Sequence, residues 1–366
     1  MCRITAVFEA SLNDTVDSSD ARKGKSPRSV VIFGGSGFIG THLAQYWLAE
    51  GLADRVVVVD LQPPRNAPYA ALLQEALRRG RADFVCHDVR QAIPADLLPD
   101  DTDIIFNLAA IHREPGHQPH EYFETNLSGA ENICAWAADV ACERIVFSSS
   151  ISPYGTSEEM KDERSLPVPE TPYGSSKLVA EKIHLAWQAA GRPRKLLILR
   201  PGVVFGPGEN GNVTRLVRSV VKGYFVYVGN RGTRKAGGYV KELCRVIRFG
   251  LDCQDRAGEP VTLLNFSMET PPKLESFVQA IQRAAGIRRS PLSVPRSLLL
   301  GVSYPIDAVA RVFGIRQPVS PVRVRKLFRS TYIDAARLRS LGYQWKYSLE
   351  EAFKDWKSEA PSDFAK

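Results

Sequence analysis

The stretch SVVIFGGSGFIG, residues 29–40, decides the fold of this chain. Residues 30–33 are a short apolar run of the kind that forms a buried strand, and three glycines follow at intervals of three residues. Residues 38–50 then have the pattern of a helix. Glycines at this spacing permit a tight turn, close approach of a phosphate and close packing of the helix on the strand. The stretch therefore predicts a phosphate-binding turn at a helix N-terminus, where free N–H groups attract anions.

Asp60 ends a second apolar strand, residues 55–59, at the distance beyond the glycines that a dinucleotide site requires. A carboxylate at that place accepts hydrogen bonds from a ribose. Because the same carboxylate repels a 2′-phosphate, the two motifs together predict NAD rather than NADP. Arg65, in the following loop, is the residue that could bind a phosphate and reverse this preference. The alternative for both motifs is a glycine-rich turn that binds no ligand.

Apolar runs alternate with helical patterns through the first two hundred residues. The predicted strands are residues 30–33, 56–59, 83–86, 104–108, 144–148 and 196–199. Their apolar residues are continuous rather than alternating, which is typical of parallel strands covered on both faces. We therefore predict an α/β fold with a doubly wound parallel sheet of Rossmann type.

The chain divides into three predicted parts. Residues 1–27 form a flexible extension, residues 28–200 an NAD-binding domain, and residues 201–366 mainly a smaller substrate-binding lobe from which strands can return to the sheet. The last part shows helical patterns at 214–221, 274–285 and 349–356 and a strand at 261–266. Such a lobe would cover the carboxyl edge of the sheet, where open α/β sheets bind ligands.

The composition excludes fibrous and wholly disordered classes, since 44% of the residues are hydrophobic and 24% are charged. No uncharged apolar run approaches the roughly twenty residues that a membrane span requires. The six cysteines form neither a C-x-x-C pair nor a regular framework, which indicates reduced thiols and a cytoplasmic location. We expect no nucleic-acid partner.

A basic segment, residues 288–329, carries nine Lys and Arg residues and one acid, Asp307. Its excess of positive charge equals the net charge of +8 of the whole chain. Residues 297–313 are also apolar enough to be amphipathic. One interpretation is attraction to an anion, either a phosphorylated substrate or an acidic membrane that the protein contacts weakly. The other is a solvated basic face on helices that pack into the core.

Tyr173 and Lys177 stand four residues apart at the start of a predicted helix, in the run TPYGSSK, and therefore share one face. A nearby ammonium lowers a tyrosine pKa from about 10 towards neutrality, so the phenol can exchange a proton with a substrate hydroxyl or carbonyl. The predicted strand at 144–147 delivers Ser150 just beyond its carboxyl end, where a hydroxyl can hold the same oxygen. Together these pieces predict a proton-transfer site.

With these motifs the chain resembles the extended short-chain dehydrogenase/reductase family, especially its NAD-dependent epimerase/dehydratase and sugar-nucleotide reductase branches. The resemblance covers residues 29–355. The matching motifs are GGSGFIG at 34–40, Asp60, HDVR at 87–90, NLAA at 107–110, TNLSGAENI at 125–133, FSSSISPYG at 147–155, YGSSK at 173–177 and LRPGVVFGPG at 199–208.

The resemblance implies roles for individual residues. Ser150, Tyr173 and Lys177 would form the catalytic group, with Ser150 also touching substrate and Lys177 also holding the nicotinamide ribose. Asp88 would approach the adenine, and the backbone at 201–203 would face the carboxamide. The implied cofactor-binding residues are Gly34, Gly37, Phe38, Ile39, Gly40, Asp60, Asp88, Val89, Leu108, Ala109, Ala110, Asn126, Ser148, Tyr173, Lys177, Pro201 and Val203.

Three further residues are candidates for binding the substrate. Asn212 and Arg234 could grip a phosphate, Arg234 because its planar fork suits phosphate oxygens, with ordinary loop polarity as the alternative. His112 stands beside the NLAA motif. His117 and His120 follow it, but two histidines three residues apart without a nearby cysteine, and a hydride chemistry that needs no metal, predict no metal site.

Two departures from the family pattern narrow the expected chemistry. Ile151 and Ser152 stand where the dehydratases carry an Asp-Glu pair, and decarboxylases also need a carboxylate there, so we expect neither reaction. Val203 stands where many UDP-sugar epimerases carry an Asn that faces the substrate pyrophosphate. This departure favours a reductase with an exchangeable cofactor over a standard epimerase.

The sequence therefore predicts an NAD-dependent oxidoreductase that acts on a nucleotide sugar, by 4-keto reduction or by epimerisation through a keto intermediate. We expect a homodimer. Two other classes stay open: an enzyme for a steroid-like or other lipid hydroxyl at a membrane surface, and a non-catalytic NAD-sensing protein. Intact Ser150, Tyr173 and Lys177 argue against the sensor, which needs cofactor binding but no proton-transfer group.

Overall fold

The computed structural model describes residues 29–113, 116–156, 159–228, 230–295 and 331–365. The predicted flexible extension, residues 1–27, lies outside these ranges, and so does the basic segment apart from residues 288–295. No helix within the described residues is long and apolar enough to cross a membrane. Each cysteine that the structure describes is a free thiol.

Seven parallel strands form the central sheet. They are β1 Ser29–Phe33, β2 Arg55–Asp60, β3 Ala82–Cys86, β4 Thr102–Asn107, β5 Arg144–Ser148, β6 Lys195–Pro201 and β10 Val261–Phe266. Their order is β10-β6-β5-β4-β1-β2-β3, and every neighbouring pair runs parallel. The chain lays β2 and β3 on one side of β1 and then crosses to place β4 on the other. The carboxyl ends of β1 and β4 therefore open the crevice in which such sheets bind ligands.

This sheet confirms the predicted doubly wound fold. The predicted bounds of β5 and β10 match the structure, and the other predicted strands differ from it by only one or two residues at their ends. Strand β1 is buried along its whole length, which explains why its apolar sequence is continuous rather than alternating. Strand β10 comes from the second half of the chain and extends the sheet beyond β6.

Helices cover both faces of the sheet. Val30 and Ile32 of β1 face a layer built from α1, α2 and α6, whereas Val31 and Phe33 face α3 and α4. This alternation is the two-residue period of a strand, applied to a sheet that is buried on both sides. The described helices are α1 Phe38–Ala49, α2 Ala71–Arg78, α3 Pro119–Asp139, α4 Pro172–Ala189, α5 Asn212–Lys222, α6 Val240–Ala257, α7 Leu274–Ala285, α8 Ala336–Ser340 and α9 Leu349–Glu359.

A separate aromatic core lies in the second half of the chain. Phe205 is completely buried, stacks on Phe353 with ring centroids 5.2 Å apart, and meets Phe277 edge to face at 5.6 Å. Two short sheets flank this core. They pair β7 Val203–Phe205 with β9 Gly237–Tyr239, and β8 Tyr227–Val228 with β11 Ser293–Val294.

Glu242 of α6 fastens the C-terminal segment to the body of the protein. Its carboxylate is fully buried and accepts hydrogen bonds from the backbone N–H of Lys346 at 3.0 Å, the backbone N–H of Tyr347 at 2.8 Å and the Tyr343 hydroxyl. A buried carboxylate is tolerated only when its lone pairs are satisfied in this way. The three donors come from the turn that leads into α9, so Glu242 holds this turn against α6, while Ser348 caps the helix itself.

Replacing Glu242 with Ala should lower the free energy of unfolding by about 3 kcal/mol, since the buried Tyr343 hydroxyl and two partly buried backbone N–H groups lose their acceptor. Chemical denaturation measures this change. Glu350→Ala is the matched control, because Glu350 pairs with Arg283 at the surface and exposed ion pairs contribute at most about 1 kcal/mol. Equal losses in the two variants would contradict the anchoring role of Glu242.

Candidate active site

The turn between β1 and α1 brings three backbone segments into contact. Gly34 has a φ of +75°, and a Cβ on it would lie 2.7 Å from the backbone nitrogen of Ala109 in the loop after β4. A Cβ on Gly40 would lie 2.5 Å from the carbonyl oxygen of Gly34. Side chains are therefore excluded at both positions. Helix α1 starts after Gly37 without a capping side chain, so its first N–H groups face the crevice without an intrahelical acceptor.

Asp60 stands at the end of β2, beside this turn. Its carboxylate accepts hydrogen bonds from the backbone N–H of Leu61 at 2.8 Å and of Ser36 at 3.1 Å. Burial raises the pKa of Asp60, and the hydrogen bonds from Leu61 and Ser36 oppose that rise. The Ser36 hydroxyl is buried and has no hydrogen-bond partner in the structure. An uncapped helix end, an excluded Cβ and an orphaned hydroxyl beside a carboxylate fit the phosphates and ribose of NAD.

Other predicted cofactor residues follow the carboxyl ends of the neighbouring strands. The backbone N–H of Leu108 donates to the carbonyl of Phe33 at 2.9 Å, which joins the ends of β4 and β1. After β3, Val89 is buried and Asp88 is held by Arg90, whose hydrogen bonds lower the pKa of the Asp88 carboxyl. These residues therefore share one edge of the sheet with the glycine turn.

Lys177 is almost completely buried within α4. Its ammonium lies 4.5 Å from the centre of the Phe147 ring, so the strand β5 supports it through a cation–π contact. Burial lowers the pKa of Lys177 to about 7, and the nearby negative charge of Glu181 opposes that shift. Thr171 caps the helix by accepting from the N–H of Gly174 at 3.1 Å, which fixes the first turn on which Tyr173 stands.

Ser150 lies just beyond the end of β5 and is 8% exposed. Its hydroxyl accepts from the backbone N–H of Ser152 and donates to the Ser152 hydroxyl, both at 3.1 Å. A Cβ on Gly174 would lie 2.7 Å from the carbonyl oxygen of Ser152, so the start of α4 packs directly against this turn. The structure thus brings the segments of Ser150, Tyr173 and Lys177 together, as the sequence predicted from separate motifs.

Asn126 of α3 ties the loop after β4 to α4. Its side-chain oxygen accepts from the N–H of Ile111 at 2.9 Å, and its amide group donates to the Ile111 carbonyl at 3.2 Å and to the Ser176 hydroxyl at 2.9 Å. Ser176 in turn donates to the carbonyl of Tyr173 at 2.9 Å. Asn126 therefore positions the helix turn that carries Tyr173.

A buried ion pair that sequence reasoning missed lies one turn beyond Lys177. Arg200, in β6, donates through Nε at 2.8 Å and Nη2 at 2.6 Å to the two oxygens of Glu181. The Ser149 hydroxyl donates to the same carboxylate at 2.5 Å. The sequence contains a signal for this pair, since an arginine directly after the apolar run of β6 needs a buried acceptor.

The predicted substrate-binding residues are distributed around the site. His112 is exposed, but partial burial of its imidazole ring lowers its pKa. The positive charges of Arg113 and Lys177 lower this pKa further. Arg234 donates to the carbonyl of Pro271 at 2.9 Å and lies 5.1 Å over the Tyr332 ring. Asn212 begins α5, and its side-chain oxygen accepts from Arg215 at 2.8 Å.

Pro201 and Val203 stand where β6 passes into β7. Pro201 is buried, and its carbonyl accepts from the N–H of Ile151 at 3.1 Å, next to Ser150. Val203 is 39% exposed and its N–H donates to the carbonyl of Ala236 at 2.7 Å. This backbone therefore borders the Ser150 turn. No group of three or more potential metal ligands occurs within the described ranges.

A model of the NAD dependent epimerase/dehydratase family matches residues 30–263, more than half of the chain. The chain belongs to this family. It is an NAD-dependent enzyme of the extended short-chain dehydrogenase/reductase type, as the motifs predicted, and NAD is its cofactor. The roles assigned to single residues stay predictions.

Curated relatives cover nearly the whole of this family member. N-acetyl-alpha-D-glucosaminyl-diphospho-ditrans,octacis-undecaprenol 4-epimerase of Escherichia coli O157:H7 is 27% identical over 324 residues, 88% of this chain and 92% of the relative. The 3beta-hydroxysteroid-dehydrogenase/decarboxylase isoform 1 of Arabidopsis thaliana is 25% identical over 355 residues, 90% of this chain and 79% of the relative. UDP-glucuronic acid 4-epimerase from Bacillus cereus, solved in complex with NAD, shares the fold with a TM-score of 0.70 at 18% identity, over 92% of this chain and 100% of that one.

Replacing Tyr173 with Phe in this epimerase/dehydratase family member should lower turnover by about 10²- to 10⁴-fold, because the change removes only the phenolic oxygen that is predicted to transfer the proton. The affinity for NAD should stay close to that of the wild type, since the ring and the helix face are kept. Single-turnover kinetics and NAD titration measure the two effects. A Phe variant that kept most of its activity would assign the proton transfer to another group, such as His112.

Replacing Lys177 with Met should abolish turnover and weaken NAD binding while making the protein without cofactor more stable. The pKa of Lys177 is lowered in the folded state to about 7, from about 10.4 in the unfolded chain. The unfolded state therefore binds more protons, and the cost of the buried ammonium is full below pH 7 and disappears as the pH rises towards 10.

The predicted stabilisation is tested by comparing the melting temperatures of the wild type and Lys177→Met across this pH range. We expect the Met variant to melt higher by a few degrees near pH 6, with the gap closing as the pH rises. A variant that melts lower than the wild type near pH 6 would mean that Glu181 more than compensates for the burial of the ammonium.

Proposed function

We propose that this protein epimerises a nucleotide sugar at C4 through a keto intermediate. The observation that carries the proposal is the buried Lys177 on the same helix face as Tyr173, beside a Ser150 turn that contains hydroxyls and no carboxylate. The names of the relatives support C4 as the reacting carbon, since the E. coli and B. cereus proteins are both named as 4-epimerases of sugars attached to a diphosphate.

The residues would divide the work as follows. The glycine turn at 34–40 and Asp60 would hold NAD, which would supply a reversible hydride acceptor for the sugar carbon. Tyr173 takes the proton of the C4 hydroxyl and gives it back to the ketone oxygen, which Ser150 holds in place. Lys177 stabilises the phenolate, and its charge acts strongly because water is excluded around it. Asn126 keeps the turn of Tyr173 in position.

The turn after Ser150 supports hydride and proton exchange rather than elimination of water. Ile151 packs against an apolar cluster that contains Tyr154, Ala236 and Ile333. Ser152 is already engaged with the Ser150 hydroxyl. A dehydratase needs an acid and a base at these two positions, whereas position 151 carries a partly buried side chain that packs against apolar groups.

The relatives favour epimerisation over the net reduction that Val203 suggests from sequence. An epimerase keeps its cofactor through both half-reactions, whereas a reductase must exchange it in every cycle. Because the exposed Val203 stands in place of an Asn, the chain lacks the side-chain amide that many UDP-sugar epimerases place against the substrate pyrophosphate. We therefore expect other groups, with Arg234 as the first candidate, to hold that pyrophosphate.

A lipid-linked sugar diphosphate is the second candidate substrate. The E. coli relative, which matches over most of both chains, acts on a sugar joined through a diphosphate to undecaprenol. Such a substrate presents the same sugar and diphosphate to the site but carries a polyprenyl chain in place of a nucleoside. The Arabidopsis relative supports the steroid-like alternative, although it is also named a decarboxylase and this chain lacks the carboxylate expected for that step.

We also propose a cytoplasmic homodimer. The free cysteines of the described ranges support a reducing compartment. The dimer rests on the family resemblance, and sedimentation of the purified protein would measure it.

A substrate panel tests the proposed reaction. UDP-glucose, UDP-N-acetylglucosamine, UDP-glucuronic acid and N-acetylglucosaminyl-diphospho-undecaprenol are each incubated with the purified enzyme, and the C4 epimers are separated. We expect one of them to interconvert with its epimer without added cofactor, and Tyr173→Phe to be the inactive control. Stoichiometric consumption of NADH with a 4-keto sugar would instead identify a reductase. Formation of a 4-keto-6-deoxy sugar would overturn the argument from Ile151 and Ser152.

A further inference from the structure

Three exposed apolar side chains lie just before the strands of the small sheet of β8 and β11. Tyr224, Val226 and Leu292 expose 65%, 38% and 75% of their surface. Because Tyr227 pairs with Ser293 in parallel register, the preceding residues Val226 and Leu292 are also neighbours. Tyr227 points the opposite way and is buried. Tyr224 lies in the turn between α5 and β8, where its N–H donates to the carbonyl of Ser219. We call these three exposed side chains the β8–β11 patch.

Basic side chains border the β8–β11 patch. Lys222, Arg288 and Arg289 are exposed, and together with Phe225 and Pro291 they line a cavity of about 510 Å³ next to it. Arg289 donates a hydrogen bond to the carbonyl of Gly223, at the C-terminal end of α5. The three positive charges therefore lie beside the apolar side chains, and Arg289 is fixed there by its hydrogen bond.

The two segments that carry the patch have charge of one sign, and Glu275, the acid near Tyr227, is paired with Arg231 at 3.8 Å. Residues 222–228 and 286–295 contain no acid. The sequence that continues from the patch, residues 296–330, adds seven Lys and Arg residues and one Asp. An exposed Leu beside a Tyr and a rim of Lys and Arg is the combination that places apolar groups in the acyl boundary and cations at anionic headgroups.

We propose that the β8–β11 patch is the surface by which this protein docks on an anionic lipid bilayer. The apolar side chains insert at the interface, and Lys222 and Arg288 contact the headgroups. A bilayer explains both features of the patch, since a nucleic acid would leave Leu292 unpartnered and a purely apolar protein partner would leave the basic rim uncompensated. The proposal does not depend on the identity of the sugar substrate.

Vesicle cosedimentation of the full chain tests this proposal without substrate or cofactor. Vesicles that contain phosphatidylglycerol are compared with vesicles of phosphatidylcholine alone. We expect binding to the anionic vesicles at low ionic strength, weakening as salt screens the charges, and little binding to the neutral ones. Lys222→Gln with Arg288→Gln should reduce binding by about 25-fold, at roughly fivefold for each charge. Tyr224→Ser with Leu292→Ser should reduce it at all salt concentrations.

Matched variants keep the test specific. Arg81→Gln with Arg192→Gln removes the same charge from exposed positions elsewhere, and Leu166→Ser removes an apolar side chain that is 78% exposed. These controls should bind like the wild type. Equal losses in the control and patch variants, or no binding of the wild type at low salt, would overturn the proposal. So would patch variants that lower the melting temperature or dissociate a dimer without changing vesicle binding, because another part of the protein would then cover the patch.

Discussion

The buried ion pair between Arg200 and Glu181 is the contact on which the position of α4, the helix of Tyr173 and Lys177, depends. Both side chains are about 5% exposed or less, so each has given up its hydration. That cost is several kcal/mol for each ion and is offset only when the geometry is close and the remaining lone pairs are satisfied. The two Arg200 hydrogen bonds and the Ser149 hydroxyl supply this geometry. Lys177 lies one helical turn before Glu181, so the constraint that holds α4 against β5 and β6 also places the ammonium.

The same pair begins a chain of contacts that reaches the second half of the molecule. The Arg200 guanidinium lies 4.7 Å over the Tyr154 ring, and the Tyr154 hydroxyl donates to the Asn265 side chain at 2.8 Å. Asn265 donates to the carbonyl of Asp334 at 3.0 Å. Strand β10 is thus joined to the active-site turn by side chains as well as by its backbone pairing with β6. A displacement of the C-terminal segment would therefore also move the turn of Ser150, which lies four residues before Tyr154.

The elements that the sequence predicts best are those whose signal is local. Strand β10 and helix α7 have the predicted bounds because a continuous apolar run and an amphipathic period are complete within each segment. Helix α6 was not predicted, since its buried face includes Glu242 and Gln254, which look like solvent-facing residues until their partners are known. The network around Arg200 was missed for the same reason. Tyr154 and Asn265 are 111 residues apart in sequence, and only the folded sheet makes them neighbours.

The chemistry of the site can be predicted from local signals, whereas the choice of substrate depends on residues that are distant in sequence. The glycine turn depends on positions where an added Cβ atom would collide with backbone, and the proposed proton-transfer pair depends on one helical turn. Both can therefore be predicted from short motifs. Arg234 is different, because its guanidinium is partly occupied by the Pro271 carbonyl and the Tyr332 ring, and only its remaining N–H groups are available to a phosphate. These partners come from separate segments of the second half. Substrate choice therefore depends on tertiary contacts that a few substitutions can rearrange, whereas the hydride chemistry depends on backbone geometry that tolerates almost none.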